Sequence, residues 1–440
     1  MKVLLKFLVF SILAVGMLVG CSQKESSSTN ENSGGEKTEK SGPSGEILVL
    51  TNRTDIVDTV FKDYAAKFNE KYPDVKVNFE AITDYEGQVK IRMNSTEYGD
   101  ALLIPNDVPV NELSNFFEPL GSVEELSGKY LHVDEDAFDG TSYGIPVTVN
   151  AQGVVYNKKV FEEAGVTEIP TTPEAFIEAL KKVKENTDAI PYYTNYAAGW
   201  PLTQWEPNRL SIAGVEDYVN VQMPNMDDPF AEGKPHYILY KLMHDIAKEG
   251  LIEPDPLTTD WESSKEMMAK GEIASMILGS WAITQVQALA ENQDDIGYMP
   301  FPYNHDGKLY SETSGDYKIG INKNSENIEA AKAWVDWFLN ESNYAIENGG
   351  ISPVIGDDFP TTLSSFQELG VELLSNSPAK EGEDGWIDAI DQEGEIGLFQ
   401  PEFKQRIIES GIGNTKESFD DIMNDLNADW KAAREKVTNN

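Results

Sequence analysis

What this 440-residue chain lacks is the first guide to it. It has a single cysteine, Cys21, so no intramolecular disulfide can form. The folded part must therefore be held by its core alone, which a chain of this length can supply. Basic residues are scarce: 35 Lys and Arg stand against 75 Asp and Glu, for a formal net charge of -40. That balance argues against nucleic acid, a polyanion held through Lys and Arg, and reads as solubilising charge spread over the surface. The four histidines, His132, His236, His244 and His305, are scattered, with no acidic motif beside them to place a metal. The zincin motif, the hydrolase nucleophile elbow and the phosphate-binding loop are all missing. Residues 134–140 superficially resemble a calcium loop, but the third acid comes one position late and no glutamate closes it. With so many acids, a nearby carboxylate pair carries no weight as a glycosidase signal. No catalytic residue, metal set or cofactor is assigned.

What is present begins at the N-terminus. Lys2 and Lys6 precede an apolar run from Leu4 to Val19 that ends at Leu18-Val19-Gly20-Cys21. A charged start, a short apolar core and small residues before a cleavage point describe a secretory signal over residues 1–20 rather than a spanning helix. Cys21 stands where a lipobox places the cysteine that is lipidated and becomes the new N-terminus. Two acyl chains there give stable attachment. Residues 21–45 hold the lipidated cysteine and a tether of Ser, Glu, Lys, Gly, Asn and Thr, too polar to bury a core. As a coil the tether reaches roughly 25–30 Å. No later segment is long and apolar enough to span a bilayer. Location is expected at the extracytoplasmic face of a cell membrane, and the acidic surface points to a Gram-positive envelope.

Beyond the tether, short strands alternate with helices. Residues 47–50 form a compact apolar run, and Ile56, Val60, Tyr64, Phe68 and Tyr72 then mark one helix face that stops at Pro73. Val75, Val77 and Phe79 alternate as a strand, and 101–104 is another apolar run. This order implies parallel pairing with right-handed crossovers. Near Ala151 a second set begins. Thr172-Pro173-Glu174 opens a helix whose stripe is Phe176, Ile177, Leu180 and Val183. Helices are also expected around Ile238, Leu242 and Ile246, over 327–339 and over 419–437, with a buried strand over 273–278.

Aromatic residues supply the chemistry. Tyr192, Tyr193, Tyr196, Trp200 and Trp205 crowd one Pro- and Gly-containing stretch, Trp281 follows Gly279-Ser280, and Trp386 lies in an acidic, Gly-rich stretch. Flat aromatics beside polar side chains suit a ring with apolar faces and a polar rim.

Several stretches carry a resemblance. Tyr143-Gly-Ile-Pro-Val leads to Val154-Val155-Tyr156-Asn157-Lys158 and then Phe161-Glu-Glu-Ala-Gly165. Met268-Ala-Lys-Gly271 precedes Ile277-Leu-Gly-Ser-Trp281, and Gly320-Ile-Asn-Lys323 precedes Ala331-Lys-Ala-Trp334. From Glu46 to the C-terminal helix the chain resembles the family 1 extracellular solute-binding proteins, the maltose-binding-protein-like receptors of carbohydrate importers. The resemblance implies an α/β, type II periplasmic-binding-protein-like fold. Each of two lobes would be a mainly parallel sheet flanked by helices, an N-lobe of 46–150 plus 318–355 and a C-lobe of 151–317 plus 356–440, joined by hinge crossovers. It implies ligand contacts from Arg53 and Asp55 after the first strand, from Asn106 and Asp107 after the third, and from Asn150 at the first crossover. Tyr196, Trp200, Trp205, Trp281 and Trp386 would stack or border the ligand, and Asp316 and Tyr317 would contribute from the hinge.

Asn150 replaces the acid, and Pro105 the tryptophan, of the maltose-binding members. Both changes argue against maltodextrin and leave another sugar. The implied role is binding, not catalysis, by a monomer whose partners are a sugar or oligosaccharide, the permease subunits of an ABC importer, and the membrane through its lipid anchor only. The alternatives are a non-sugar solute such as a polyamine, which would need several acids facing the aromatics, a surface adhesin, and a secreted carbohydrate-active enzyme.

Overall fold

Short apolar runs become buried strands, and the four-residue spacings become helices packed on them. In this computed structural model residues 42–106 and 108–438 are described, so the leader, Cys21, most of the expected tether and Asp107 lie outside. The first elements are β1 (Gly45–Thr51), α1 (Val60–Lys71), β2 (Val75–Ala81), α2 (Tyr85–Met93), β3 (Ala101–Leu103) and β4 (Ile145–Pro146). Next come β5 (Val149–Asn157), α3 (Pro173–Asn186), α4 (Asn208–Ala213), α5 (Pro235–Lys248), α6 (Trp261–Ala269), β6 (Ser275–Gly279) and β7 (Ile296–Pro300). The chain ends through β8 (Tyr310–Gly315), β9 (Lys318–Ile321), α7 (Ile328–Asn340), β10 (Glu372–Leu374), α8 (Trp386–Glu393), α9 (Glu402–Gly411) and α10 (Phe419–Thr438). Among the described residues no helix is long and apolar enough to cross a membrane.

Local chemistry accounts for several of these boundaries. Thr172 accepts a hydrogen bond from the Ala175 amide at 3.2 Å, and Pro173 takes the first turn of α3, as the sequence predicts. The apolar face of α1 buries Phe61, Tyr64 and Phe68.

Two sheets organise the molecule. The first has the order β2-β1-β3-β9-β4, with β1 parallel to both neighbours and β9 antiparallel to β3 and β4. The second has the order β7-β5-β8-β10, with β6 also on β5. Here the expectation of a mainly parallel sheet is corrected. β6, β7 and β8 all run antiparallel to β5, and only β8 with β10 is parallel. The reason is topological: β5 enters from the first sheet and runs through the middle of the second, so the strands around it take the opposite sense. One apolar core collects residues from Ile47 to Val147 and from Ile319 to Tyr344. Two others draw on residues between Val149 and Ala433.

The chain passes between these cores in segments that lie side by side. The Val147 amide donates to the Tyr317 carbonyl at 2.9 Å, and the Asp316 amide to the Thr148 carbonyl at 2.8 Å. Val149 and Ile351 exchange both backbone hydrogen bonds at 2.9 and 3.0 Å. Gly350 leaves room there for Thr148, whose Oγ1 would lie 2.1 Å from a Cβ at that position. Glu135 bridges the return segment, accepting from the Gly315 amide at 3.1 Å and pairing with Lys318 at 2.7 Å.

Candidate ligand-binding site

Three indoles from three separate segments meet beside the end of β6. Trp281 follows Gly279-Ser280, and its ring centroid lies 5.8 Å from Trp200 and 5.6 Å from Trp261. Trp200 and Trp261 complete the triangle at 5.1 Å. The turn depends on glycine: a Cβ at Gly279 would stand 2.6 Å from Trp281 Nε1, so only glycine lets the indole fold back over the strand end. The Ser280 hydroxyl accepts from the Ala151 amide at 3.0 Å and ties this turn to β5. Trp261 opens α6, which is capped by Asp260 accepting from the Ser263 amide at 2.8 Å. Trp200 is 40% exposed, a large apolar surface left open that edge-on Trp261 and tilted Trp281 do not cover. Such a cluster offers broad π faces to a flat, partly apolar ligand.

Polar side chains border the cluster on β5. Asn150 and Gln152 are buried, and the Ser280 hydroxyl lies 3.4 Å from Asn150 Oδ1. Across the crossing segments a second group forms around Glu86. Its carboxylate accepts from Tyr317 Oη at 2.6 Å and from the amide and side chain of Asn106 at 3.1 and 3.2 Å. Asn106 and Tyr317 are thus brought together through a residue that sequence reasoning missed. Asp316, half-buried, accepts from the Tyr317 amide at 2.8 Å. Asp107 lies outside the described residues.

Other expected contacts are placed differently. Arg53 engages its guanidinium within the first core's side: Asp55 accepts two hydrogen bonds at 2.8 and 2.7 Å, Tyr344 Oη one at 3.1 Å and Asn348 one at 2.8 Å. The Arg53 hydrogen bond in turn holds the Asp55 carboxyl below its usual range. Trp205 is corrected to core: it is 1% exposed, and its Nε1 donates to Tyr192 Oη at 2.8 Å. Tyr196 is tied to α9, donating to Glu409 at 2.8 Å while its carbonyl accepts from Gln405 at 3.0 Å. Trp386 opens α8 and packs against the largest core cluster rather than joining the other indoles. Trp261 is the aromatic that replaces it in the cluster.

A two-lobed α/β chain with an open aromatic cluster beside its crossing segments is the architecture of a binding protein that receives a small solute. The sequence pattern described as bacterial extracellular solute-binding protein matches residues 54–345. The chain belongs to that family. It is similar to a manno-oligosaccharide specific solute-binding protein of Bifidobacterium animalis subsp. lactis solved with mannotriose, at 36% identity and a TM-score of 0.81, covering 90% of this chain and 95% of that one. A second binding protein of an ABC transporter from the same organism, solved with mannobiose, is 37% identical with a TM-score of 0.81 over 89% and 95% of the two chains. A diacetylchitobiose binding protein of Streptomyces coelicolor is 27% identical over 85% of each chain.

Proposed function

We propose that this solute-binding protein is the lipid-anchored receptor of an ABC importer and captures a short oligosaccharide, with manno-oligosaccharides the favoured class. The observation that carries the reading is the triangle of Trp200, Trp261 and Trp281, with one face open, in a chain whose relatives are solved with mannobiose and mannotriose. Sugar rings have apolar C–H faces that stack on indoles and a polar rim that needs hydrogen-bonding side chains. Residues 46–150 with 318–355 and 151–317 with 356–440 would act as two lobes turning on the crossing segments. The ligand is held first on the tryptophan side and covered from the other by the Asn106–Glu86–Tyr317 group. The closed form, favoured by ligand, is what the permease reads. The protein binds without turnover and acts as a monomer. Leu18-Val19-Gly20-Cys21 supports lipidation at Cys21 and residence on the extracytoplasmic face of the membrane.

Calorimetry of a soluble form starting at Ser22, against mannobiose, mannotriose, diacetylchitobiose, uronides and polyamines, tests the reading. Saturable binding of one neutral oligosaccharide class, weakened in Trp281→Ala, is expected. Binding of polyamines alone overturns the sugar assignment and leaves the family intact. For the anchor, Cys21→Ala is expected to release the protein from the membrane fraction.

A further inference from the structure

Next to the indoles, the second sheet carries a row of buried polar side chains whose hydrogen bonding is incomplete. β5 pairs with β8 so that Ala151 faces Thr313 and Asn150 faces Ser314. Carried one residue further, that register sets Glu312 across from Gln152, and residues opposite one another in a ladder project to the same face. Gln152 and Glu312 are 6% and 5% exposed, yet among the described residues Gln152 Oε1 and Glu312 Oε2 have no hydrogen-bond partner. The other Glu312 oxygen accepts from Asn376 Nδ2 at 2.9 Å, and Asn376 Oδ1 is itself unpartnered. Arg209 on α4, 4% exposed, donates through Nη1 to Glu206 at 3.0 Å and leaves Nε unpartnered. Buried polar atoms are nearly always paired, so four incomplete ones on neighbouring residues point to a ligand that completes them.

The placement agrees. A Cβ at Gly279 would lie 2.6 Å from Trp281 Nε1 and 3.7 Å from Gln152 Nε2, so the amide and the indole both lie against the end of β6. On the far side the Arg209 guanidinium lies 5.5 Å from the ring of Phe399, which is 46% exposed. Two residues on, Pro401 Cγ would be 3.4 Å from a Cβ at Gly199, the residue before Trp200. The polar row therefore runs between the tryptophan triangle and an exposed phenylalanine.

We propose that Gln152, Glu312, Asn376 and Arg209 form the hydroxyl-recognising end of the ligand site and select a neutral pyranose over a uronic acid. The inference rests on the oligosaccharide reading above. Gln152 Oε1 and Asn376 Oδ1 are acceptors, Arg209 Nε is a donor, and Glu312 Oε2 accepts when ionised and donates when protonated, a set that fits hydroxyl groups, which can do both. A sugar carboxylate would meet the Gln152 and Asn376 acceptor oxygens and, when Glu312 is ionised, a like charge, and the Arg209 guanidinium beside them already pairs with Glu206.

The test compares wild type, Glu312→Gln and Gln152→Leu by tryptophan fluorescence titration with mannotriose, and wild type with the trimer of mannuronic acid. Each variant is expected to keep the wild-type circular dichroism and lose at least about tenfold in mannotriose affinity. Wild type is expected to prefer mannotriose at least about tenfold over the uronate. Affinities within twofold of wild type in both variants, while Trp281→Ala weakens binding roughly thirtyfold, overturn the subsite, as does equal affinity for the uronate. If Glu312→Gln fails to fold, Gln152→Leu and the uronate comparison still decide. Failure of wild type to bind mannotriose, mannobiose or diacetylchitobiose overturns the oligosaccharide reading itself, and the subsite with it.

Discussion

The two halves of the molecule fill their interiors differently. On the side of the first sheet the interior is aromatic and neutral. Phe61, Tyr64 and Phe68 of α1 interlock with Trp334, Trp337 and Phe338 of α7, with Phe68 edge-on to Trp334 at 5.3 Å and Trp334 stacked on Phe338 at 5.6 Å. Charged pairs such as Lys62 with Asp58 stay at the surface. On the side of the second sheet, ions sit at the centre. Glu206 and Lys404 are both 0% exposed, 3.5 Å apart, and Glu206 also meets His236 at 2.8 Å, Arg209 and Tyr240. Against the cost of burial, Lys404, His236 and Arg209 keep the Glu206 carboxyl ionised, far below its usual range. Burial draws the Lys404 ammonium down to about 8 although Glu206 opposes it. This ion group joins α4, α5 and α9 and, through Lys404 on the Leu398 carbonyl, holds the loop that presents Phe399. The comparison teaches that aromatic packing stabilises one half, whereas in the other half polar contacts position the groups that border the candidate site.

The strongest way to break that contrast is to damage both interiors equally. Glu206→Gln leaves Lys404 and Arg209 buried with a neutral partner, an imbalance worth about 3–5 kcal/mol of stability. Trp334→Ala opens a cavity of similar cost, about 3–5 kcal/mol. Urea unfolding should show comparable losses, but in the folded fraction only the Glu206 variant should also weaken mannotriose binding. A Glu206 variant with wild-type affinity would separate the ion group from the site.

The next effects are smaller. Trp281→Ala and Trp200→Ala are each expected to cost about 2 kcal/mol of binding, roughly thirtyfold, as central aromatic anchors do. Because Trp200 is 40% exposed, its replacement should change unfolding free energy by less than about 1 kcal/mol. Wild-type affinity in both variants would remove the indoles from the site.

A pH series sharpens the contrast through Glu312, whose carboxyl is pushed by burial from 4.5 to about 7 despite Arg209 nearby, with Glu206 and Glu135 adding to the rise. The folded pKa is raised, so the stability this proton contributes is complete below 4.5 and disappears as pH climbs through about 7. The unfolding free energy of wild type minus that of Glu312→Gln should therefore fall between those values, by an amount on the order of 3 kcal/mol. A flat difference would mean that Glu312 stays ionised in the folded protein.

Much of the fold was legible where its signals are local. The four-residue spacing of α1, the alternation of β2 and the Thr172-Pro173 start of α3 each depend on neighbours in sequence. The site was only partly legible. Trp200 and Trp281 stand at turns marked by glycine, whereas Trp205 lies five residues further along a helical turn that rotates it inward. Trp386 sits in a Gly-rich stretch, yet its helix packs it on the core. Trp261 carries no local mark, since Asp260 before it is an ordinary helix cap. Of the proposed subsite, Gln152 alone has a local signal: with Asn150 it sets amides at alternate positions of a buried strand, as a polar face turned to a ligand would. Glu312 and Arg209 depend on the pairing of β8 with β5, a contact between residues 159 apart at Ser311 and Gln152 that no local pattern records.

Arg53 gives the finest discrimination between the halves. The resemblance to sugar receptors places it at the ligand, but its guanidinium already meets Asp55, Tyr344 and Asn348. The pair with Asp55 is half open to solvent, with side-chain exposures of 27% and 60%, a setting in which ion pairs contribute about 1 kcal/mol or less. Arg53→Ala should therefore lower the unfolding free energy by no more than about 1 kcal/mol, with a smaller loss at high salt as screening weakens the pair. Its mannotriose affinity should remain within twofold of wild type. A tenfold loss would return Arg53 to the ligand, and would require the side bearing the first sheet to recognise as well as to close.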